Sequence, residues 1–277
     1  MPELPEVERE RCRLAPAMVG ARFTRVRLNR KDLRVPFPPA FARRLRGQTI
    51  HAVRRRGKYL LADLSSGDIL VMHLGMSGSF RISPTTRRRR TRDEALEARH
   101  DHVVFDLSSG QTITFNDPRR FGLMQLASPS DDKVTGFGRL GPEPLSAAFN
   151  PAALAGHAAR RRTPLKVLLL DQRVVAGLGN IYASEALHLA RLSPFLEATT
   201  LAATGGGPNA AARALVAAIK SVLRRAVRLK DGNTYRSSRF RVYDREGEAC
   251  VTPGCRGTIA RVVQAGRSTF YCPVCQR

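Results

Sequence analysis

Hydrophobic and polar residues alternate through most of the first half of the chain. Alternation with a period of two residues predicts β-strands that bury one face. Between Arg22 and about Leu126 the alternation is clearest in five segments, which are residues 23–28, 58–64, 69–73, 102–107 and 111–115. Two similar sequences, Asp63-Leu64-Ser65-Ser66-Gly67 and Asp106-Leu107-Ser108-Ser109-Gly110, provide glycines for hairpin turns. The pattern predicts an antiparallel β-sandwich, with helices at residues 3–18 and 39–46.

The period becomes helical after Gly141-Pro142-Glu143-Pro144. Helices are predicted at residues 165–172, 181–192 and 208–230, the first with Thr163 as N-cap and Pro164 at its first position, the second capped by Asn180. Near the C-terminus, residues 258–263 and 267–271 alternate like a hairpin that turns at residues 264–266. The fold class is therefore α+β multidomain. The expected domains are a sandwich at 1–140, a helical domain at 141–240 and a C-terminal hairpin domain at 241–277.

The net charge of the chain indicates the chemical class of its partner. Forty-seven Lys and Arg residues against 23 Asp and Glu give a formal net charge of +24. Such a surplus predicts a polyanionic partner, and nucleic acid is favoured over a membrane because the longest aliphatic run, residues 167–170, cannot span a bilayer. The acidic N-terminus has no apolar signal core, which predicts a cytoplasmic protein. The segment 85–99, with four consecutive arginines, is expected to be a solvated basic loop.

Four cysteines near the C-terminus have the spacing of metal ligands. They are Cys250, Cys255, Cys272 and Cys275, two close pairs separated by the predicted hairpin. Four thiolates suit one structural zinc ion in a closed tetrahedral shell, whereas two disulfides would need an oxidising compartment. Spacing and context favour zinc. Cys12 stands apart in the first helix and is expected to be buried.

The chain opens Met1-Pro2-Glu3, which offers a candidate nucleophile. Removal of the initiator methionine would leave Pro2 with a free secondary amine, a group whose ordinary pKa near ~8 keeps part of it neutral. Attack on an aldehyde-level carbon gives an iminium without an N–H, which is a permanent electron sink. Glu3 is placed to transfer protons at the same carbon. An ordinary N-terminus that leads into a helix is the competing interpretation.

A glycine-rich turn precedes the helix at 181–192. Gly177 and Gly179 lie where backbone N–H groups and the helix dipole favour an anion. The third glycine of a dinucleotide fingerprint is missing and no buried strand precedes the turn, so no nucleotide cofactor is expected. A DNA phosphate fits this turn better.

Six ordered motifs together resemble the bacterial formamidopyrimidine-DNA glycosylase family over the full chain. They are Pro2-Glu3-Leu4-Pro5-Glu6-Val7-Glu8, Gly57-Lys58-Tyr59-Leu60, His73-Leu74-Gly75-Met76-Ser77-Gly78, Asn116-Asp117-Pro118-Arg119-Arg120-Phe121-Gly122, Gly177-Leu178-Gly179-Asn180-Ile181-Tyr182-Ala183-Ser184-Glu185 and Gly266-Arg267-Ser268-Thr269-Phe270. The resemblance implies a β-sandwich, a helix–two-turn–helix domain and a zinc hairpin. It also implies a cytoplasmic, nucleoid-associated repair enzyme that excises formamidopyrimidines and 8-oxoguanine from double-stranded DNA and then cleaves the strand by β,δ-elimination.

The same resemblance assigns residues. Pro2 corresponds to the amine that attacks C1′, Glu3 to the acid that assists opening of the sugar ring, and Lys58 to a proton-transfer residue. Arg267 corresponds to the hairpin arginine of δ-elimination. Contacts to the DNA backbone fall on His100, Arg162, Lys166 and Asn180, and side chains inserted at the flipped base on Met76, Arg119 and Phe121.

One departure from the family pattern bears on substrate choice. Residues 233–241 are shorter than the glycine-containing loop that covers the flipped base in the family, so preference for 8-oxoguanine over ring-opened purines is expected to weaken. Two other functions stay open, namely an endonuclease VIII-like preference for oxidised pyrimidines and a non-catalytic, zinc-dependent DNA-binding protein. Leu4 favours excision of oxidised purines over an endonuclease VIII-like preference for oxidised pyrimidines. No heptad pattern suggests more than a monomer.

Overall fold

A computed structural model describes residues 2–85, 98–128, 137–228 and 240–277 of the chain. The described residues form two compact units, residues 1–138 and 139–277. The predicted basic loop at 85–99 and the short segment at 233–241 lie almost wholly outside the described residues. The three predicted domain boundaries stay a prediction. Among the described residues, no helix is both long and apolar enough to cross a membrane.

The described residues of the first unit contain two four-stranded antiparallel sheets, which confirms the predicted antiparallel sandwich. The strands are β1 (Phe23–Leu28), β2 (Ile50–Arg56), β3 (Tyr59–Leu64), β4 (Ile69–His73), β5 (Ser79–Pro84), β6 (Asp101–Leu107), β7 (Gln111–Asn116) and β8 (Leu123–Ala127). The first sheet has the order β1-β6-β7-β5 and the second β2-β3-β4-β8. Both DLSSG sequences are hairpin turns, in which Gly67 and Gly110 adopt positive φ.

Strands β2, β5 and β8 were not predicted, and for β2 and β5 the exposure pattern gives the reason. β2 ends in three arginines, and β5 buries Phe80 fully but its other side chains only partly or not at all. Alternation is therefore weak in these two sequences, and pairing with neighbours is what makes them strands. The two sheets share one core that contains buried side chains of both, among them Leu60, Met72, Phe105 and Phe115.

The described residues of the first unit also include two helices. Helix α1 (Leu4–Met18) has Glu3 as its N-cap and packs against the core through Val7, Leu14 and Met18. Helix α2 (Phe41–Leu45) is shorter than the predicted 39–46. Cys12 was expected to be buried, and that expectation is wrong. It lies exposed beside Glu8 on the opposite face of α1 from the core.

The second unit is helical around its own core. Its helices are α3 (Pro151–Ala158), α4 (Leu165–Leu170), α5 (Asn180–Leu189) and α6 (Ala210–Arg228). Two predicted caps are shifted by one residue. Pro164, with extended backbone paired to Glu197, occupies the N-cap of α4, and Gly179 occupies that of α5. Asn180 is therefore the first helical residue, and its side chain is directed to another element.

A two-stranded hairpin ends the chain. Strands β9 (Ala260–Gln264) and β10 (Arg267–Tyr271) pair antiparallel, with Gln264 opposite Arg267. The turn is therefore two residues, Ala265 and Gly266, both with positive φ, which is the conformation that matches strand twist. A small separate core beneath it contains Val242, Ile259 and Phe270 with two of the cysteines.

Candidate functional site

The N-terminal residues of the first unit are held by the start of helix α1. Glu3 has extended backbone and is 2 % exposed. Its N–H donates to Oε2 of Glu6 at 2.9 Å, which satisfies one of the free donors at the helix start. Pro2, half-buried, precedes this fixed peptide. The backbone on which the candidate nucleophile is carried is thus locally ordered.

Lys58 lies at the turn between β2 and β3 and is 8 % exposed. Arg55 connects this turn to helix α1. Its Nε donates to Oε2 of Glu8 at 2.9 Å and its Nη1 donates to the carbonyl of Gly57 at 3.0 Å. The helix that follows Pro2 and the turn that carries Lys58 are therefore linked through one guanidinium. Neither Arg55 nor Glu8 had a predicted role, because a charged pair 47 residues apart has no local signal in the sequence.

His73 is a further residue of the site for which no catalytic or binding role was predicted. Its ring packs against the ring of Tyr59 in a tilted arrangement, with centroids 4.8 Å apart and an interplanar angle of 52°, and its Nδ1 accepts a hydrogen bond from the N–H of Gly75 at 3.0 Å. Burial, together with the positive charges of Lys58 and Arg34, lowers the pKa of His73 from 6.5 to about 4. The imidazole is therefore neutral at physiological pH beside a buried lysine.

Met76, Arg119 and Phe121 lie on two neighbouring loops and are exposed. Met76 is 42 % and Phe121 43 % exposed, which is unusual for apolar side chains of this size. The guanidinium of Arg119 lies 4.7 Å from the centre of the Phe121 ring. Two apolar side chains and a cation thus project from loop tips.

Asp117 joins the two loops from below and is fully buried. Its Oδ1 accepts from Oγ of Ser77 at 2.6 Å and its Oδ2 accepts from the N–H of Gly122 at 2.7 Å. The backbones also interlock, since a Cβ at Gly75 would lie 2.3 Å from the carbonyl carbon of Phe121. One carboxylate and one glycine therefore set the distance between the exposed side chains.

His100, another predicted DNA contact, lies next to this loop system. Its carbonyl accepts from the N–H of Asp117 at 3.0 Å, and its Nε2 accepts from Nε of Arg99 at 3.0 Å. The ring is half-buried. The first unit thus brings the cations Arg99 and Arg119 and the half-buried His100 to the region of Asp117.

In the second unit two side chains hold the hairpin that carries Arg267. Nζ of Lys166 donates to the carbonyl of Ser268 at 2.7 Å and to Oγ1 of Thr269 at 2.6 Å, and Nδ2 of Asn180 donates to the same carbonyl at 2.9 Å. Lys166 is 1 % exposed, while Arg267 is exposed. Lys166 and Asn180 therefore position the hairpin. The phosphate contacts assigned to them stay predictions.

An open groove lies next to Arg267. It has a volume of about 580 Å³ and is lined by Arg161, Arg173 and Arg267 together with apolar residues of α4. Asp171 holds the first two arginines at 3.1 and 2.9 Å, and the hydrogen bond from Arg173 lowers the pKa of this carboxyl to about 2. Arg162, a predicted phosphate contact, is exposed beside Arg161. The groove is cationic and open to an anion.

The four cysteines form one cluster. Their Sγ atoms all lie within 4.8 Å of one another, with Cys250 and Cys275 3.7 Å apart and Cys255 and Cys272 3.6 Å apart. A disulfide needs an S–S distance near ~2.05 Å, whereas zinc at ~2.3 Å from each sulfur in a tetrahedron separates the sulfurs by ~3.8 Å. The geometry therefore fits zinc and not disulfides.

Backbone donors around the cluster support the same assignment. The N–H groups of Thr252 and Gly257 point at Sγ of Cys250 and Cys255 at 3.5 and 3.4 Å. Donors of this kind stabilise thiolates. A side chain at Gly257 would place its Cβ 2.6 Å from Sγ of Cys272, so only glycine at this position leaves room for the four sulfur atoms. The longer first spacing, Cys250 to Cys255, is compatible with the site.

Comparison with known families agrees with this architecture along the chain. The formamidopyrimidine-DNA glycosylase N-terminal domain matches residues 1–124, the H2TH domain of the same enzymes matches 140–238, and the zinc finger found in FPG and IleRS matches 247–277. The chain belongs to the formamidopyrimidine-DNA glycosylase family.

Individual relatives extend the comparison. A formamidopyrimidine-DNA glycosylase of Rhodopseudomonas palustris (strain HaA2) is 53 % identical over 293 residues, covering all of both chains. The structure of MutM (Fpg) from Thermus thermophilus has a TM-score of 0.82 at 39 % identity, covering 99 % of this chain and 98 % of that one. The Lactococcus lactis enzyme in complex with FAPY-dG-containing DNA has a TM-score of 0.83 at 30 % identity, covering 99 % of this chain and all of that one.

Proposed function

We propose that this protein is a bifunctional DNA glycosylase and abasic-site lyase that removes oxidised purines, formamidopyrimidines and 8-oxoguanine, from double-stranded DNA. Family membership over the full chain and the neighbour bound to FAPY-dG-containing DNA support the substrate class. The observation that carries the chemistry is Pro2 directly before a buried, hydrogen-bonded Glu3. That arrangement suits an amine nucleophile with an acid beside it.

In the proposed reaction, removal of Met1 frees the nitrogen of Pro2, which forms a bond to C1′ of the damaged nucleotide as the glycosidic bond breaks. The base leaves with the electron pair of that bond and takes up a proton, and the attached nitrogen loses its N–H proton. Glu3 donates a proton to the ring oxygen, and the opened sugar becomes an iminium on Pro2. Loss of a proton from C2′ then expels the 3′ phosphate, and a second elimination expels the 5′ phosphate. Lys58 is placed to transfer protons in the first elimination, and Arg267 to bind phosphate in the second.

The exposed loops of the first unit would stabilise a flipped base. Extrusion of a nucleotide costs a few kcal/mol, and inserted apolar side chains offset part of that cost. Met76 and Phe121 have the exposure that such a role requires, and Arg119 is held beside Phe121 with donors for the unpaired base. His100, Arg162 and Asn180 are proposed to contact the DNA backbone.

Covalent trapping tests the proposed chemistry. Lesion-containing duplex incubated with the protein and borohydride should give a stable protein–DNA adduct, because reduction converts the iminium into an amine. Pro2→Gly should reduce adduct formation strongly, and retention of Met1 should abolish it. Pro16→Ala, at an exposed proline of the same helix, is the matched control and should trap normally. A protein that binds the duplex but gives no adduct would be a non-catalytic DNA-binding protein.

Excision profiling separates the two catalytic alternatives. The duplexes differ only in the lesion, which is a formamidopyrimidine, 8-oxoguanine or an oxidised pyrimidine. The protein should cleave the duplex with the ring-opened purine in preference to the other two. The alignment with the R. palustris enzyme is 293 positions long for a chain of 277, so that relative has residues that this chain lacks. We place part of that difference at residues 233–241 and expect weakened preference for 8-oxoguanine. Undiminished 8-oxoguanine excision would contradict this expectation, and preference for pyrimidines would favour the endonuclease VIII-like alternative.

We also propose that the protein acts as a monomer in the bacterial cytoplasm, associated with the nucleoid, and that it needs no nucleotide cofactor. One zinc ion, held by the four cysteines, would fix the fold of the hairpin and take no part in the chemistry, since four thiolates leave no open position on the metal.

A further inference from the structure

A buried histidine of helix α5 lies against the cysteine cluster. His188 is 1 % exposed, and its Nε2 is 3.3 Å from Sγ of Cys250, 3.3 Å from Oγ1 of Thr252 and 3.8 Å from Sγ of Cys275. It belongs to the helical core of the second unit and not to the cysteine spacing that predicts the metal site. Nothing in the mechanism above uses it.

The other ring nitrogen of His188 fixes its protonation. Nε of Arg241 lies 3.1 Å from Nδ1. A guanidinium can only donate, so Nδ1 must accept and carries no proton. The proton of the neutral ring is therefore on Nε2, the nitrogen that faces Cys250. A thiolate ligand is an acceptor. Arg241 can therefore donate to Nδ1 of His188, and Nε2 of His188 can donate to the sulfur of Cys250.

We infer that His188 is a positioning residue of the zinc site, which donates a hydrogen bond from Nε2 to the Cys250 thiolate and thereby ties the metal to helix α5. His188 is outside the ligand shell, because the four thiolates already complete a tetrahedron. A donor to a metal-bound sulfur disperses its negative charge and orients it, which is the usual contribution of the groups around a metal site.

The connection reaches beyond the metal. Glu185, one turn before His188 on the same helix, accepts from the N–H groups of Arg241, Val242 and Tyr243 at 2.8 to 2.9 Å. Two successive turns of helix α5 therefore bind the segment that enters the zinc hairpin. The carboxylate of Glu185 accepts from backbone N–H groups of that segment, and the ring of His188 accepts from the side chain of Arg241. Helix α5 also begins with Asn180, which holds the other end of the hairpin at Ser268.

Zinc release from the full-length, zinc-loaded protein tests the inference without reference to catalysis. A chromogenic chelator, 4-(2-pyridylazo)resorcinol, in excess reports the release rate by absorbance. His188→Leu removes the donor, and release should accelerate on the order of ten- to a hundredfold. His188→Gln keeps an N–H close to the position of Nε2 and should release zinc at nearly the wild-type rate. Equal rates for all three proteins would overturn the inference.

The glutamine variant also separates hydrogen bonding from packing. If both variants released zinc equally fast, the ring would matter only for its shape and the inference would be wrong. Arg241→Met should accelerate release in the wild-type background and have no further effect with His188→Leu, since both act through one chain of hydrogen bonds. Additive effects would contradict the proposed chain.

Cobalt substitution gives an independent spectroscopic signature. The sulfur-to-cobalt charge-transfer bands should move to lower energy in His188→Leu, because a thiolate without its donor is easier to oxidise, and remain close to wild type in His188→Gln. The tetrahedral four-sulfur ligand-field bands should stay the same in all variants. A change of those bands in His188→Leu would identify the histidine as a ligand and would overturn the inference.

Discussion

Single buried polar side chains set the geometry of the first unit at the places where its loops meet. Asp117 accepts hydrogen bonds from both loops that carry Met76 and Phe121, and His73 supports the turn at Gly75 that leads to Met76. A buried carboxylate or imidazole is costly unless its hydrogen bonds are satisfied, so each of these residues is sensitive to substitution.

Replacement of Asp117 by Ala leaves the N–H of Gly122 and the hydroxyl of Ser77 without a buried acceptor. We expect the first unit to lose roughly 2–6 kcal/mol of stability, from a cost of about 1–3 kcal/mol for each of the two unsatisfied groups. Hydrogen exchange of β6 and β7 in the full-length protein measures the change. Asp32→Ala, which removes a 46 % exposed carboxylate in the same unit, is the control and should change little. Equal exchange in both variants would show that Asp117 does not join the loops.

The depressed pKa of His73 predicts a pH dependence. The unfolded pKa is 6.5 and the folded pKa about 4, so the unfolded chain binds more protons between these two pH values. His73 therefore has no effect above pH 6.5 and lowers the stability of the first unit as the pH falls from 6.5 towards 4. His73→Gln should flatten the stability profile in that window. An NMR titration of the wild-type ring should have its midpoint near 4, and Lys58→Met should raise it, because one of the charges that lower the pKa is gone.

At the scale of elements, the hairpin β9–β10 depends on helices α4 and α5 for its position. A two-stranded hairpin has little stability by itself. Lys166 from α4 and Asn180 from α5 meet at the carbonyl of Ser268, the residue after Arg267. The position of the proposed δ-elimination residue is therefore set by the helical part of the unit.

Substitution of Lys166 by Met should separate the two elimination steps. The loss of two hydrogen bonds to the hairpin should displace Arg267 and reduce the fraction of δ-elimination product several-fold, while borohydride trapping at Pro2 continues. Denaturing gels that resolve the β- and δ-products give the ratio. Lys220→Met removes a lysine that donates to Ser146 elsewhere in the same unit, and should leave the ratio unchanged. An unaltered ratio in Lys166→Met would show that the helix does not position Arg267.

At the scale of the whole molecule, the chain has separate cores. The sandwich core, the helical core and the small core around Val242, Ile259 and Phe270 are distinct clusters of buried side chains. The third is too small to be stable without a crosslink, and its cysteines supply one through the metal.

Removal of zinc should consequently act locally. Chelation, or Cys250→Ser, should abolish hydrogen-exchange protection in residues 242–277 and leave the strands of the first unit protected. Cys12→Ser is the matched control, since this exposed cysteine takes no part in the cluster. Loss of protection in both units on chelation would refute separate cores.

Much of the fold followed from local patterns, and the exceptions have physical causes. Strands with strong alternation, the two DLSSG turns and the cysteine spacing were identified correctly. Strand β2 was missed because arginines mask its alternation, and Cys12 was misplaced because the core-facing stripe of α1 passes through Val7, Leu14 and Met18 and not through it. Met76 and Phe121 were singled out by the family resemblance, whereas the buried carboxylate of Asp117 beneath them had no predicted role.

Periodicity, spacing and motif order are local properties of the chain, so the fold class, the metal ligands, the basic charge and the family could be predicted without coordinates. The side chains that support these groups could be identified only from their contacts in three dimensions. The partners of Asp117, Lys166 and His188 lie up to 103 residues away along the chain. Hydrogen bonds between buried groups depend on distance in space, and a sequence records distance along the chain.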